Sequence, residues 1–211
     1  MDGMITAVEV QARRGGRRAN VFVDGRYAFS LSTQLAAERL HVGDAIDATA
    51  ADLLLNEDQR LRCYDAALRF LGSRPRSERE IRDRLARHEF APQVVDGVIE
   101  RLRKLDLVDD AAFAEYWIEQ RRTHRPRGGR LIKQELRQKG VDAEVATAAL
   151  ASDEDETDGA YRAAVRKAQS LRLLDERTFR QRLGAFLQRR GFDYETSRTV
   201  VNRLWQETSA Q

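Results

Sequence analysis

Leu85, Leu136 and Leu187 stand 51 residues apart, and the same step joins Ile81 to Ile132 and Leu183, Phe90 to Val141 and Phe192, and Ile99 to Leu150 and Val201. One such ladder is within reach of chance, but four in a fixed register are the mark of a repeated supersecondary unit. The step also pairs Pro75 with Pro126. A unit of about 50 residues is marginal alone and gains by burying a face against its neighbour, which predicts an extended, curved array rather than independent beads.

Within each unit the periodicity predicts three helices. One precedes the Arg-Pro-Arg segment, around Tyr64 to Leu71 and then Phe113 to Arg122; one carries the Ile-xxx-Leu pair; one follows the Phe or Val. Ile81 with Leu85 and Ile132 with Leu136 are i,i+4 pairs and share a buried face. Gly140 and Gly191 fall just after the second helix, where a left-handed residue ends a helix at least cost. The first unit has Glu89 there, which predicts a different kind of stop. The acidic run Asp153-Glu154-Asp155-Glu156 sits where the third unit starts and reads either as a favourable charge at a helix N-terminus or as a solvated inter-repeat loop.

The first thirty residues follow another period. Val8 with Val10, Val21 with Val23, and Tyr27 with Phe29 and Leu31 alternate as strands do, each set sharing a face. Gly15-Gly16 lies in the connection Arg13-Arg14-Gly-Gly-Arg17-Arg18, and Asp24-Gly25 is a strong two-residue hairpin turn. Ser32 or Thr33 would cap a short helix reaching about Leu40, followed by a loop at His41-Val42-Gly43-Asp44. The fold class is therefore mainly α: a tandem array of three three-helix repeats with a small N-terminal antiparallel β-meander. The boundaries fall at 1–48 for the meander and short helix, then 49–110, 111–157 and 158–211 for the repeats.

Composition narrows the function. Of 211 residues 42% are hydrophobic and 34% charged, with a net charge of only +3, so the chain can bury a core. One cysteine, Cys63, excludes an internal disulfide framework and any CxxC metal or redox motif. No apolar run approaches the roughly 20 residues of a membrane span, and the start MDGMITAVEV has no signal-type segment, which points to a soluble, cytoplasmic protein. His41, His88 and His124 have no metal-type spacing to one another or to Cys63, and the Gly-Gly pairs lack the phosphate-loop pattern. Neither catalytic nor metal-binding residues are assigned, no cofactor is expected, and the chain reads as a non-enzyme. Trp117 and Trp205, beside Ile118 and Leu204, read as core residues.

Comparing the units separates packing from surface. On the second helix of the middle unit, Arg130, Lys133 and Arg137 share a face opposite Ile132 and Leu136. One unit earlier the same places hold Arg79, Arg82 and Ala86, and one unit later Gln181, Gly184 and Gln188, so the core ladder persists while the charge ladder fades. Residues 121–139 carry eight cations against Glu135 alone. Such a run is either a solvated face or a patch for a polyanion or an acidic protein groove. The candidate partner-binding residues are Arg121, Arg125, Arg127, Arg130, Lys133 and Arg137, with Arg74, Arg76 and Arg82 in the preceding unit.

Three blocks resemble the RecX family, regulators of the bacterial recombinase RecA. They are Ala67-Leu68-Arg69-Phe70-Leu71 with Arg74-Pro75-Arg76-Ser77-Glu78 and Ile81-Arg82-Asp83-Arg84-Leu85; Val98-Ile99-Glu100-Arg101-Leu102 through Leu107-Val108-Asp109-Asp110 to Phe113-Ala114; and Arg125-Pro126-Arg127-Gly128 leading to Gln134-Glu135-Leu136-Arg137-Gln138-Lys139-Gly140-Val141. The similarity is dense over 64–141 and weaker to Gln211. It implies an elongated helical array lodged in the groove of the RecA–DNA filament, opposing filament growth and suppressing ATP hydrolysis, strand exchange and stimulated repressor cleavage. Its implied partners are the RecA filament and single- or double-stranded DNA, met directly or through the filament, with no membrane and a monomeric chain. The family offers no catalytic residues to carry over. Two other readings stand beside it: a direct DNA-binding protein of helix-turn-helix-like repeats, and a plain helical-repeat scaffold.

Overall fold

A computed structural model describes residues 2–12, 15–151 and 156–209. Arg13 and Arg14 of the first connection and Asp153, Glu154 and Asp155 of the acidic run lie outside the described residues. Among the described residues are strands β1 (Gly3–Val10), β2 (Arg18–Val23), β3 (Arg26–Ser32) and β4 (Ala45–Ile46). The helices are α1 (Thr33–Arg39), α2 (Ala48–Leu71), α3 (Glu78–Ala86), α4 (Pro92–Lys104), α5 (Asp110–His124), α6 (Gly129–Gln138), α7 (Ala143–Ala151), α8 (Glu156–Leu171), α9 (Glu176–Arg189) and α10 (Tyr194–Ser209). The mainly α class with a small N-terminal antiparallel sheet is as the sequence predicts. The chain forms two compact units, Met1–Phe70 with Arg84–Arg101, and Leu71–Asp83 with Leu102–Gln211.

In the first unit the sheet order is β3-β2-β1-β4, every pairing antiparallel. Asp24 and Gly25 both take positive φ, 50° and 76°, which is the hairpin geometry their sequence demands. Two bulges correct the simple alternation. Val21 faces Phe29 but Phe22 faces Tyr27, so one extra residue at Ala28 turns Tyr27 away from Phe29 and Leu31. Tyr27 is 59% exposed and meets Phe22 edge-on instead. A second slip at Thr6 brings Ile5 and Val8 to the core side, while Val10 stays 56% exposed at the strand end. The segment after α1 is a turn, as expected, but β4 follows it and pairs with β1, an element too short to leave a sequence pattern. Ser32 caps α1, its hydroxyl accepting from Leu35 N.

Asp58 on α2 ties helix to sheet. It is 2% exposed, and its carboxylate accepts from Arg18 at 2.6 Å and from the Ser32 backbone N–H at 2.7 Å. Cys63 is also fully buried, and that burial pushes its thiol up to about 11, so it packs as a small neutral side chain.

In the second unit, α5–α7 enclose Phe113, Ile118, Ile132 and Leu136, and α8–α10 enclose Phe179, Leu183, Leu187 and Val200. The 51-residue ladder is a core ladder: Ile81, Ile132 and Leu183 are all buried, as are Leu85, Leu136 and Leu187. Gly140 and Gly191 end their helices with φ of 83° and 91°. Glu89, against expectation, makes the same stop, with φ 59°, so the repeat keeps its left-handed position even where the residue is not glycine.

Within this second unit the joints between successive repeats recur as well. Ser77 Oγ donates to the Lys139 carbonyl at 2.7 Å, and Gly128 N, 51 residues on, donates to the Arg190 carbonyl at 2.9 Å. A Cβ at Gly128 would collide with the backbone of Gly191 and Phe192, and one at Gly140 would press on Arg79. The start of one repeat's second helix thus seats on the end of the next repeat's second helix.

Candidate partner-binding surface

The basic segment 121–139 divides by what its side chains touch. Glu135 projects from α6 toward α5 and accepts from Arg121 at 2.6 Å, from Trp117 Nε1 at 2.8 Å and from Arg127. Glu80, at the start of α3, accepts from Arg74 and, at 2.6 Å, from Lys139 Nζ. Burial pushes the Glu80 carboxyl up, but the hydrogen bonds and charges of Arg74 and Lys139 outweigh it and hold the group down at about 2. Arg121 and Lys139 also lie over the Trp117 ring at 4.5 and 4.2 Å. Trp117 packs against Phe113 on its inner side, so its core role is joined to a cage of two carboxylates and four cations, Arg121, Arg127, Arg74 and Lys139. Trp205 packs on Phe179.

Five of the nine candidate residues are therefore held within the fold. Arg121 and Arg127 sit on Glu135, Arg74 on Glu80, and Arg82 on Glu78 at 2.7 Å. Arg76 donates to Ser73 Oγ at 2.8 Å, and burial with the neighbouring Arg74 charge pulls its pKa below the usual range.

The other four are exposed. Arg130 donates to the Gln188 carbonyl at 2.9 Å, and Lys133 to Thr147 Oγ1 at 2.6 Å. Arg125 and Arg137 have no ion pair among the described residues. Arg130, Lys133 and Arg137 all face outward while Ile132 and Leu136 are buried on the other side of α6. Gly128 starts this helix without a side-chain cap, its close approach to Gly191 fixing where α6 begins.

The sequence reading missed the cage on Glu135 and Glu80. One signal for it was present: Ser77-Glu78-Arg79-Glu80 has capping-box spacing, and Ser77 N does donate to Glu80 while Glu80 N donates to Ser77 Oγ. Among the described residues no group of three or more His, Cys, Asp or Glu side chains could hold a metal ion, and no helix is long and apolar enough to cross a membrane.

Four consecutive family models match this architecture: the regulatory protein RecX N-terminal domain at residues 3–47, and the first, second and third RecX three-helix domains at 63–102, 109–150 and 153–201. The regulatory protein RecX of Clostridium perfringens strain 13 is 32% identical over 207 residues, covering 96% of each chain. The chain belongs to the RecX family. RecX of Levilactobacillus brevis is also 32% identical, over 95% of this chain and 76% of its own. A crystal structure of regulatory protein RecX matches with a TM-score of 0.70 at 26% identity, covering 96% of this chain and 98% of that one. RecX from Lactobacillus salivarius matches in fold, with a TM-score of 0.63 at 24% identity over 74% of this chain and 99% of that one.

Proposed function

We propose that this RecX-family chain is a non-enzymatic cytoplasmic regulator that seats in the helical groove of RecA–DNA filaments and inhibits strand exchange, ATP hydrolysis and the stimulated cleavage of repressors. Its working parts are the N-terminal segment 1–48 and the repeats 49–110, 111–157 and 158–211. The observation that carries the reading is the outer face of α6, where Arg130, Lys133 and Arg137 stand exposed opposite a buried Ile132 and Leu136. A cationic face without carboxylates suits a groove lined by acidic side chains and phosphates, because paired charges form and counterions are released.

Within the candidate set, Arg125, Arg130, Lys133 and Arg137 meet the partner. Arg121, Arg127, Arg74, Arg76 and Arg82 hold the surface in shape through their internal bonds and reach the partner only at its rim. The test is the single-stranded-DNA-dependent ATPase of RecA with rising amounts of this protein, at low and at moderate salt. The reading expects a dose-dependent fall in rate that weakens steeply as salt rises. An ATPase rate indifferent to the protein would overturn it, and inhibition indifferent to salt would remove the arginine face from the account.

A further inference from the structure

A groove of about 550 Å³ runs between α9 and α10 of the third repeat. The same place in the second repeat is crossed by one of its own side chains, since Lys133 reaches from α6 to Thr147 on α7 at 2.6 Å. One repeat later both members of that pair differ: Gly184 stands for Lys133 and Arg198 for Thr147. A Cβ at Gly184 would meet nothing within 4 Å, so the track of the lysine stem is open. The end where the second repeat has a neutral hydroxyl now carries a cation. The core beneath is kept, Leu183 and Leu187 standing for Ile132 and Leu136 with all four buried.

The walls say what fits the open track. Among the described residues the groove is lined by two arginines and no carboxylate. Arg180 is committed to Glu176 at 2.7 Å and to Asn202, but Arg198 holds only a 3.9 Å contact with Glu195, both side chains being more than half exposed. An ion pair of that kind is weak and is readily exchanged for a better-seated carboxylate. Ala185 and Val201 give the groove apolar surface, and the amides of Gln181 and Gln188 each offer a donor and an acceptor to a passing main chain. The complement is a negative charge carried at the end of an apolar stem. Glutamate has that form, with methylenes to lie over Gly184 and a carboxylate to reach Arg198. A phosphate of a nucleic-acid strand, carried on the chain itself, has no stem. Tyr194, 63% exposed at the rim, offers a flat apolar face to a neighbouring side chain.

We infer that the α9–α10 groove docks a protein segment of the filament through one glutamate side chain, whose stem lies over Gly184 and whose carboxylate pairs with Arg198. The inference rests on the filament reading and adds to it a second contact, made by the third repeat and with protein rather than DNA. Two measurements on the full-length protein test it. In the first, the RecA ATPase on single-stranded DNA is followed against the concentration of the parent, Gly184→Lys, Gly184→Ala and Arg198→Gln. Gly184→Lys restores the arrangement of the second repeat and adds a positive charge, so a surface working by charge alone would inhibit better. The groove predicts the opposite. Half-inhibition should need about tenfold more of Gly184→Lys and of Arg198→Gln, as when a seated charge pair is lost from an interface, while Gly184→Ala stays near the parent. Lys and Ala both favour helix over Gly, so the fold is not at stake, and circular dichroism checks it.

In the second, Tyr194 at the rim is replaced by the photoreactive p-benzoylphenylalanine, and the protein is irradiated on RecA filaments formed on a labelled strand. The adduct should be with the RecA subunit and should disappear when Gly184→Lys is added. Adducts with the strand would overturn the inference in favour of DNA in the groove. Inhibition by Gly184→Lys equal to the parent's, with helices intact, would overturn it too while leaving the filament reading in place. A parent that neither slows the ATPase nor gives a RecA adduct would overturn both.

Discussion

The hydroxyl of Ser77 donates to the main-chain carbonyl of Lys139 at 2.7 Å, from a side chain that is fully buried. This one atom both caps α3 and closes the joint onto the end of α6. Gly128 and Arg190 repeat the joint with a backbone donor. Ser77→Ala should lower stability by about 1–2 kcal/mol, the range for a lost N-cap. Gly128→Ala, which drives a methyl group into the Gly191–Phe192 backbone, should cost about 1–3 kcal/mol. Urea unfolding midpoints check both, and the control Gly184→Ala should be neutral or stabilising, because its Cβ meets nothing.

Glu89 holds a left-handed backbone, φ 59°, at the place where the later repeats have Gly140 and Gly191. An L-residue pays about 1–2 kcal/mol for that conformation, part of which glycine gives back through its looser unfolded chain. Glu89→Gly should therefore stabilise the protein by roughly 0.5–1 kcal/mol, read as a higher urea midpoint with an unchanged slope.

Glu80 couples the cage to pH. Its carboxyl is held at about 2 in the folded protein against an ordinary 4.5, so the folded state favours the charged form. The stabilisation is complete above the unfolded value and is lost as pH falls from about 4.5 toward about 2, on the order of 3 kcal/mol. Glu80→Gln should lower stability at neutral pH and flatten the fall of stability across that acid window. A mutant that loses stability with the same acid slope as the parent would mean that the carboxylate is not held by Arg74 and Lys139.

How much of this was legible follows from what each feature requires of the sequence. The repeat is readable because Ile132 and Leu136 can be replaced only by other apolar residues one unit away, so burial prints itself at a fixed step. The strands are readable for the same reason, but the bulges at Thr6 and Ala28 are not, since inserting one residue reverses the faces without changing the composition. The left-handed backbone at Glu89 is hidden because glutamate is not the residue that conformation prefers; only its place in the ladder reveals it. The division of the arginines is the least legible of all. Glu135 gathers Trp117, Arg121 and Arg127 across 18, 14 and 8 residues, and nothing in a local charge count distinguishes those cations from Arg137.

The central claim is that the α6 face, and not the fold's general basic character, is what meets the RecA filament. Reversing Arg130, Lys133 and Arg137 to Glu together tests it, since exposed substitutions of this kind change stability by about 0.5 kcal/mol each and leave Ile132 and Leu136 in place. The measurement is the RecA ATPase on single-stranded DNA against the concentration of parent and triple mutant, with circular dichroism on both. The account predicts unchanged helical content and loss of inhibition, while Gln181→Glu with Gln188→Glu, at the same places one repeat later, costs less. A triple mutant that inhibits as well as the parent with its helices intact would contradict it.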